Sequence, residues 1–281
     1  MKNVESFGGN WTIEKLDIIF KYLNFYTTAL QNTRYKKIYV DGFAGEGTVE
    51  LKNGAIIDGS AAMSLNINIP FDRYVFVEIN KKKVKKLESL KTEYKNRNIN
   101  IICNDANESL RTIVNNIPWK YTRGVFFIDP FATQTEWKTL KCIANTKSAD
   151  LWFLFPFSAI NRLFAKDKNQ TVMWKQRLND CFGGNDWEEA IYKQKKKVQL
   201  SLFEGEEYES NLEKVSTDVL IEYIKNKLAS IFPYVSPNPK IFKNEKNSIL
   251  FILFFMTANP DQKAIKLASK CAEHILGKKK Q

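Results

Sequence analysis

Four acidic residues stand where chemistry could be done: Asp41, Glu78, Asp105 and Asp129. Each closes or closely follows a run of apolar, β-branched or aromatic residues. Ile38-Tyr39-Val40 leads to Asp41 and Val75-Phe76-Val77 to Glu78. Asn100 to Cys103 leads to Asn104-Asp105, and Gly124 to Ile128 leads to Asp129. If these runs are parallel strands, all four carboxylates fall on one edge of a sheet, where open α/β sheets bind their ligands. They would accept hydrogen bonds from a ligand rich in donors or positive charge. Gly42, Gly45 and Gly47 follow Asp41 and flank Phe43, so the backbone can approach a ligand closely. The spacing is not the dinucleotide fingerprint G-x-G-x-x-G, which counts against a nicotinamide oxidoreductase. It is not a P-loop either, because no Gly-Lys-Ser/Thr follows. The plain alternative is a strand-turn-helix that uses its glycines only to turn.

Residues 41–47, Asp-x-Phe-Ala-Gly-x-Gly, resemble the first motif of class I S-adenosylmethionine (SAM)-dependent methyltransferases. The resemblance implies SAM as cofactor. Asp41, Gly42, Phe43 and the turn from Gly45 to Gly47 would hold the methionine moiety and its charge. Glu78 is placed to accept from the ribose hydroxyls, or else is a carboxylate at a helix N-terminus before Asn80. Asp105, beside Ala106, is placed to accept from the adenine amine, or else caps the next helix. Asp129-Pro130-Phe131 is the catalytic candidate. Methyltransferases of exocyclic amines carry Asp/Asn-Pro-Pro-aromatic here: the acid and a carbonyl orient the amine, and the ring stacks on a flipped-out base. This chain has one proline, and its aromatic comes one position early, so Phe131 either stacks or belongs to the core. A cysteine-adduct mechanism needs Pro-Cys, but the four cysteines follow Ile102, Lys141, Asp180 and Lys270. On the acceptor side stand Ser60, which opens a helix whose free N–H groups could receive an anion, and Ser158 with Arg162, four residues apart after the fifth strand.

The surrounding pattern supplies the sheet. Strands are expected at 37–41, 73–79, 100–103, 124–128 and 150–155, with helices at 60–68, from 80 onward, up to about 114, and at 135–144 between them. This alternation predicts a mostly parallel, doubly wound sheet with right-handed crossovers. Residues 234–243 and 248–258 read as an antiparallel hairpin joined by Asn244-Glu245-Lys246-Asn247. The whole predicts a Rossmann-like class I methyltransferase fold: a seven-stranded, mostly parallel sheet with a C-terminal antiparallel hairpin, in one domain over 1–281. Residues 1–35 form an N-terminal helical extension. Its helix, expected at 12–31 with Thr12 as cap, either packs on the body or lids the site. Residues 48–58 read as a loop. Residues 166–210 break the pattern and read as an insertion with a lysine cluster (Lys193, Lys195, Lys196, Lys197) and an acidic run.

The chain has 281 residues, a net charge of +12 and an aromatic fraction of 13%. That excess of positive charge points to polyanionic partners, nucleic acid first. Lys81, Lys82, Lys83, Lys85 and Lys86 cluster on one helix, which is either a phosphate-binding face or a solvated one. Four scattered cysteines and one histidine, His274, argue against a metal or cluster site and fit a reducing, cytoplasmic setting. The longest apolar run, 249–258, is too short to span a bilayer.

A larger set of residues is similar to one family. Trp11-Thr12 with Lys15-Leu16, Tyr39-Val40-Asp41-Gly42-Phe43-Ala44-Gly45, Asp58-Gly59-Ser60, Phe76-Val77-Glu78, Phe127 to Phe131 with Trp137, and Phe155 to Ile160 with Arg162 resemble the three-Cys-motif partner proteins. The likeness covers residues 10–165 well and the last third loosely. It implies a prokaryotic, methyltransferase-like chain whose partner is a separate radical-SAM-like protein with three cysteines. With the incomplete Asp-Pro-Phe motif, it leaves two readings: a SAM-dependent methyltransferase of nucleic acid, or a non-catalytic SAM- or nucleic-acid-binding subunit for that partner.

Overall fold

The computed structural model describes residues 9–164, 174–194 and 212–277. The chain opens with helix α1 (Asn10–Ala29) and strand β1 (Lys36–Asp41). The expected loop after the glycine turn is a small antiparallel hairpin, β2 (Thr48–Glu50) with β3 (Ile56–Asp58). Val49 and the Ile56-Ile57 pair give it β-favouring residues, and Gly54 turns it at φ 80°. Helix α2 (Ser60–Leu65) follows and is shorter than expected. Alternation then runs through β4 (Arg73–Val77), α3 (Lys81–Glu93), β5 (Ile99–Ile102), α4 (Ala106–Asn116), β6 (Thr122–Ile128), α5 (Trp137–Ala144) and β7 (Ala149–Phe155). After α6 (Phe157–Leu163) come α7 (Lys175–Phe182), α8 (Trp187–Ile191), and the paired β8 (Tyr192–Gln194) and β9 (Leu212–Lys214). The chain closes with α9 (Thr217–Ala229), β10 (Tyr234–Val235), β11 (Lys240–Lys243), β12 (Ile249–Thr257) and α10 (Gln262–Ile275).

The main sheet runs β5-β4-β1-β6-β7-β12, with β10 and β11 both on the outer side of β12. The five strands from β5 to β7 are parallel and β12 is antiparallel to β7. This is the Rossmann-like arrangement expected, with eight strands instead of seven. The extra strand arises because 234–243 is not one strand. Pro237 and Pro239 have no N–H to donate to a ladder, so the segment breaks into β10 and β11 around Ser236.

Strand residues alternate between two buried layers. Tyr39, Tyr74, Phe76, Phe127, Trp152 and Phe255 face α1, α2 and α10. Val40, Val75, Phe126 and Phe153 face α4, α5 and α9. Within 166–210, the described part packs Leu178, Phe182 and Trp187 onto this second layer. The lysines at 195–197 and the acidic run lie outside the described residues.

Helix α1 is fixed to the sheet by buried polar contacts. The Tyr22 hydroxyl donates to Asp150 Oδ2 at 2.7 Å, and Tyr26 donates to the Gly124 carbonyl at 3.2 Å. Tyr22 also packs on Trp152 and Phe255, with ring centroids 5.2 and 5.0 Å away. Thr12 does not cap the helix. Its hydroxyl is buried without a partner among the described residues, and Gly9 stands at the cap position. Burial raises the Asp150 carboxyl to about 6, and the Thr257 and Tyr22 hydroxyls offset part of that rise. Tyr22→Phe is therefore expected to lower stability by about 1–3 kcal/mol. The loss should be larger at pH 8, where Asp150 is ionised, than at pH 5. Equilibrium denaturant unfolding at the two pH values checks this; an unchanged midpoint at both would mean that α1 is not anchored here.

Candidate functional site

The strand order sets the geometry. Asp41 ends β1, the middle parallel strand, between β4, which leads to Glu78, and β6, which leads to Asp129. Asp41 is level with Phe76 on one side and with Phe127 on the other. The three acids share one edge because their strands are parallel neighbours.

The glycine turn is held against that edge by its own backbone. Gly42 N–H donates to the Phe127 carbonyl and Ala44 N–H to the Val77 carbonyl, each at 2.9 Å. Gly45 and Gly47 take φ values of 66° and 88°, the left-handed region that favours glycine. A Cβ at Gly45 would meet open space, so this glycine gives a ligand a bare approach to the backbone. Glu78 spans the turn: Oε2 accepts from Gly45 N–H at 3.1 Å and Oε1 from Asn80 N–H at 2.7 Å. Asn80 in turn caps α3 through Lys82 and Lys83 N–H. Glu78 thus has a structural task at its strand end.

Asp41 is fully buried. Its Oδ1 accepts from Phe43 N–H at 3.2 Å, while Oδ2 has no well-formed hydrogen bond among the described residues. Burial raises its carboxyl to about 7. The nearby Ser60 hydroxyl and the Phe43 N–H pull it down, Asp129 pushes it up, and Lys15 pulls it down. An under-satisfied carboxylate inside a fold is costly. A donor-rich or cationic ligand would remove that cost. Ser60, at the first position of α2, is thereby placed beside Asp41.

Asp129 meets a residue not among the expected site residues. Lys15 of α1 is buried, and its Nζ lies 2.5 Å from Asp129 Oδ2. The same ammonium sits 5.3 Å from the Trp11 ring and 5.8 Å from the Phe127 ring. The signal was in the sequence: Lys15 shares a helical stripe with Ile19, Tyr22 and Tyr26, all buried. A lysine in an apolar stripe needs a buried partner.

The loop after Asp129 projects outward. Phe131 is 56% exposed, so it is not core, and the Lys83 ammonium stands 6.0 Å from its ring. Ala132 adopts φ 48°, which is sparsely populated for a non-glycine residue. Asn107 of α4 pins the far side of the loop, donating to the Gln134 carbonyl at 2.7 Å and accepting from Glu136 N–H at 2.9 Å.

Asp105 caps α4, with Oδ1 accepting from Glu108 N–H at 3.0 Å, and is exposed ahead of Ala106. Asp105 is thus the N-terminal cap of α4. Ser158 and Arg162 lie on α6 beyond β7, with Arg162 exposed in its last turn. Among the described residues no group of His, Cys, Asp and Glu could hold a metal ion. No described helix is long and apolar enough to cross a membrane.

No protein-family model matches the chain, and no curated protein matches it in sequence. Its structure is similar to that of a Legionella pneumophila protein of the family model DUF519, at 14% identity over 96% of this chain and 94% of that one, with a TM-score of 0.50. At that identity the likeness is one of fold. The chain is also similar to the N-terminal domain of EvdMO1 with SAH bound, at 9% identity, 85% and 80% coverage and a TM-score of 0.40. The methyltransferase domain of bacterial CtHen1-CN is similar at 10% identity, 85% and 99% coverage and a TM-score of 0.38.

The buried carboxylate makes a stability prediction that needs no ligand. Below about pH 4 Asp41 is protonated whether folded or unfolded. Between about 4 and 7 the folded chain holds the proton more tightly, so stability falls as pH rises through that window. Asp41→Asn removes this loss and should raise the melting temperature of the free chain more at pH 8 than at pH 5. The gain is at most about 4 kcal/mol, at about 1.4 kcal/mol per pH unit. Calorimetric scans at both pH values test it; an equal shift at pH 5 and pH 8 would contradict a buried, titrating Asp41.

Proposed function

We propose that this chain is a SAM-dependent methyltransferase whose acceptor is a base in nucleic acid. The observation that carries the reading is the orphaned Oδ2 of buried Asp41 beside the bare backbone at Gly45. Together they form a cradle suited to a cationic amino-acid ligand and not to a pyrophosphate. When bound, SAM would supply an electrophilic methyl group on a sulfonium. Asp41, Gly42, Phe43, Gly45 and Gly47 would hold its methionine part. Glu78 would keep the turn in place and offer its carboxylate to the ribose. Asp105, at the exposed start of α4 with Ala106, would face the adenine amine.

On the acceptor side, Asp129 would orient the attacking group. Lys15 fixes one carboxylate oxygen of Asp129 and leaves the other to accept from the acceptor. Exposed Phe131 next to Lys83 suits a base to be stacked and a phosphate to be neutralised. Ser60, Ser158 and Arg162 are proposed as further acceptor contacts. The nucleic-acid half of the reading is supported by the net charge of +12. We further propose, from the residues shared with the three-Cys-motif partner proteins, that the chain works with a radical-SAM-like protein and resides in the cytoplasm.

A second reading is favoured by one contact. Because Lys15 already occupies Asp129, the chain could bind SAM or nucleic acid without transferring a methyl group, as a subunit for that partner. Transfer of label from methyl-labelled SAM to DNA, RNA and protein pools separates the two. Incorporation into a nucleic-acid pool is expected, with Asp129→Ala reducing it by about 100-fold or more while SAM still binds. Lys15→Met should reduce it too, and Lys15→Arg should restore part of the loss by keeping the charge. SAM binding with no transfer to any pool would establish the subunit reading instead. Undiminished transfer by Asp129→Ala would remove that residue from the mechanism.

A further inference from the structure

A second feature lies on the same edge of the sheet. The start of α1, the β2–β3 turn and the β11–β12 turn enclose a cleft of about 580 Å³, within the range that holds a small ligand or one to two nucleotides. The topology places it at the acceptor side. Strand β12 is antiparallel to β7 and pairs Ile252 with Phe155, so the β11–β12 turn stands over the carboxyl ends of the parallel strands. The β2–β3 hairpin leads directly out of the glycine turn at Gly47. Trp11 walls the cleft, packs on Phe251 with centroids 4.6 Å apart, and touches the Lys15 ammonium, which holds Asp129. Two side chains, Trp11 and Lys15, therefore link the cleft to the proposed catalytic acid.

Its lining is cationic and partly apolar. Lys52 and Lys246 face it from two turns, and Lys243 from the end of β11, where its ammonium donates to Asn247 Oδ1 at 3.0 Å, against a single acid, Glu245. The Lys52–Glu245 pair is 3.6 Å long and exposed on both sides, so it takes little from either charge. Ile13, 47% exposed, gives the cleft an apolar patch. The Asn53 Oδ1 is committed to its own turn, accepting from Ala55 N–H at 3.1 Å, so the amide NH2 is the group it has left to offer. Helix α1 begins at the same place with no side-chain cap, so its positive end adds to the lysines. Mobile point charges, amide donors and a small apolar patch match a single nucleic-acid strand: phosphates on the lysines, bases on the apolar patch and the amides. The volume is too small for a duplex.

We propose that this cleft binds the single-stranded stretch flanking the methylated base and feeds that base past Trp11 to Asp129. The proposal rests on the methyltransferase reading for its second half only; binding of a single strand in the cleft stands on its own. The lysines of α3, across the cofactor edge, are then not the main strand contact.

The test uses the full chain and a fluorescein-labelled RNA of about ten uridines, with DNA of the same length, read by anisotropy across a salt series. Micromolar or tighter binding is expected, with log K falling linearly against log salt. The double variant Lys52→Gln/Lys246→Gln should weaken binding by on the order of tenfold and reduce the salt slope by about 1.4, at about 0.7 per lost phosphate contact. The double variant Lys81→Gln/Lys82→Gln on α3 should change neither much. All four lysines are at the surface, and matched melting curves confirm that both variants fold. If the α3 variant loses binding and the cleft variant does not, the proposal is overturned. It is also overturned if the chain binds no oligonucleotide, or if polyglutamate of equal charge displaces the RNA as well as unlabelled RNA does. Equilibrium dialysis with labelled SAM runs alongside. Loss of oligonucleotide binding with SAM still bound fails the cleft and spares the cofactor reading, and the converse result does the reverse.

Discussion

The fold must hold two carboxylates close together out of water. Asp41 is fully buried and Asp129 partly so, at the ends of adjacent strands of one sheet, and Asp129 adds to the rise of the Asp41 carboxyl that burial begins. The balancing cation comes from outside the sheet, as Lys15 on the N-terminal helix. That requirement explains why α1 is tied down so firmly along its length, by Tyr22 to Asp150, by Tyr26 to Gly124 and by aromatic packing on Trp152 and Phe255. A helix free to lift would leave a buried acid without its partner, a loss that outweighs most surface contacts. The helix is thus both packed on the body and part of the site.

The protein's own groups leave the balance incomplete. One lysine stands against two acids, and Asp41 Oδ2 lacks a proper donor. The glycine turn beside it leaves the backbone bare at Gly45, although Glu78 holds that turn rigidly enough to need no ligand for its shape. A rigid turn with an unsatisfied charge next to it is a preorganised site, and what it lacks is positive charge and hydrogen-bond donors. The same edge carries exposed Phe131 and the lysine-lined cleft, so the under-satisfied Asp41 and the cationic surfaces share one edge of the sheet.

Most of the architecture was legible because it rests on local rules. The five parallel strands are runs of apolar, β-branched and aromatic residues, and strand-helix alternation with handed crossovers makes them parallel. The strand-end acids were visible for the same reason. Three things were less visible, each for a physical cause. The eighth strand arises from Pro237 and Pro239, which interrupt pairing inside a stretch of otherwise strand-like residues. The β2–β3 hairpin is three residues on each side, too short for alternation to show. Lys15 was legible as a lysine in an apolar stripe, but its partner was not, because Asp129 is 114 positions away and only packing brings a helix and a strand end together. Asp105 was legible in both of its candidate roles, and the free chain shows it as a cap.

The central claim is that the unsatisfied charge at Asp41 is a place for SAM. Isothermal titration of the chain with SAM, repeated on Asp41→Ala, tests it most directly. Saturable one-to-one binding by the unaltered chain is expected, with a loss of at least about tenfold in affinity on removing the carboxylate, the scale of one charge-assisted hydrogen bond. Absence of SAM binding, or binding that Asp41→Ala leaves unchanged, would contradict it.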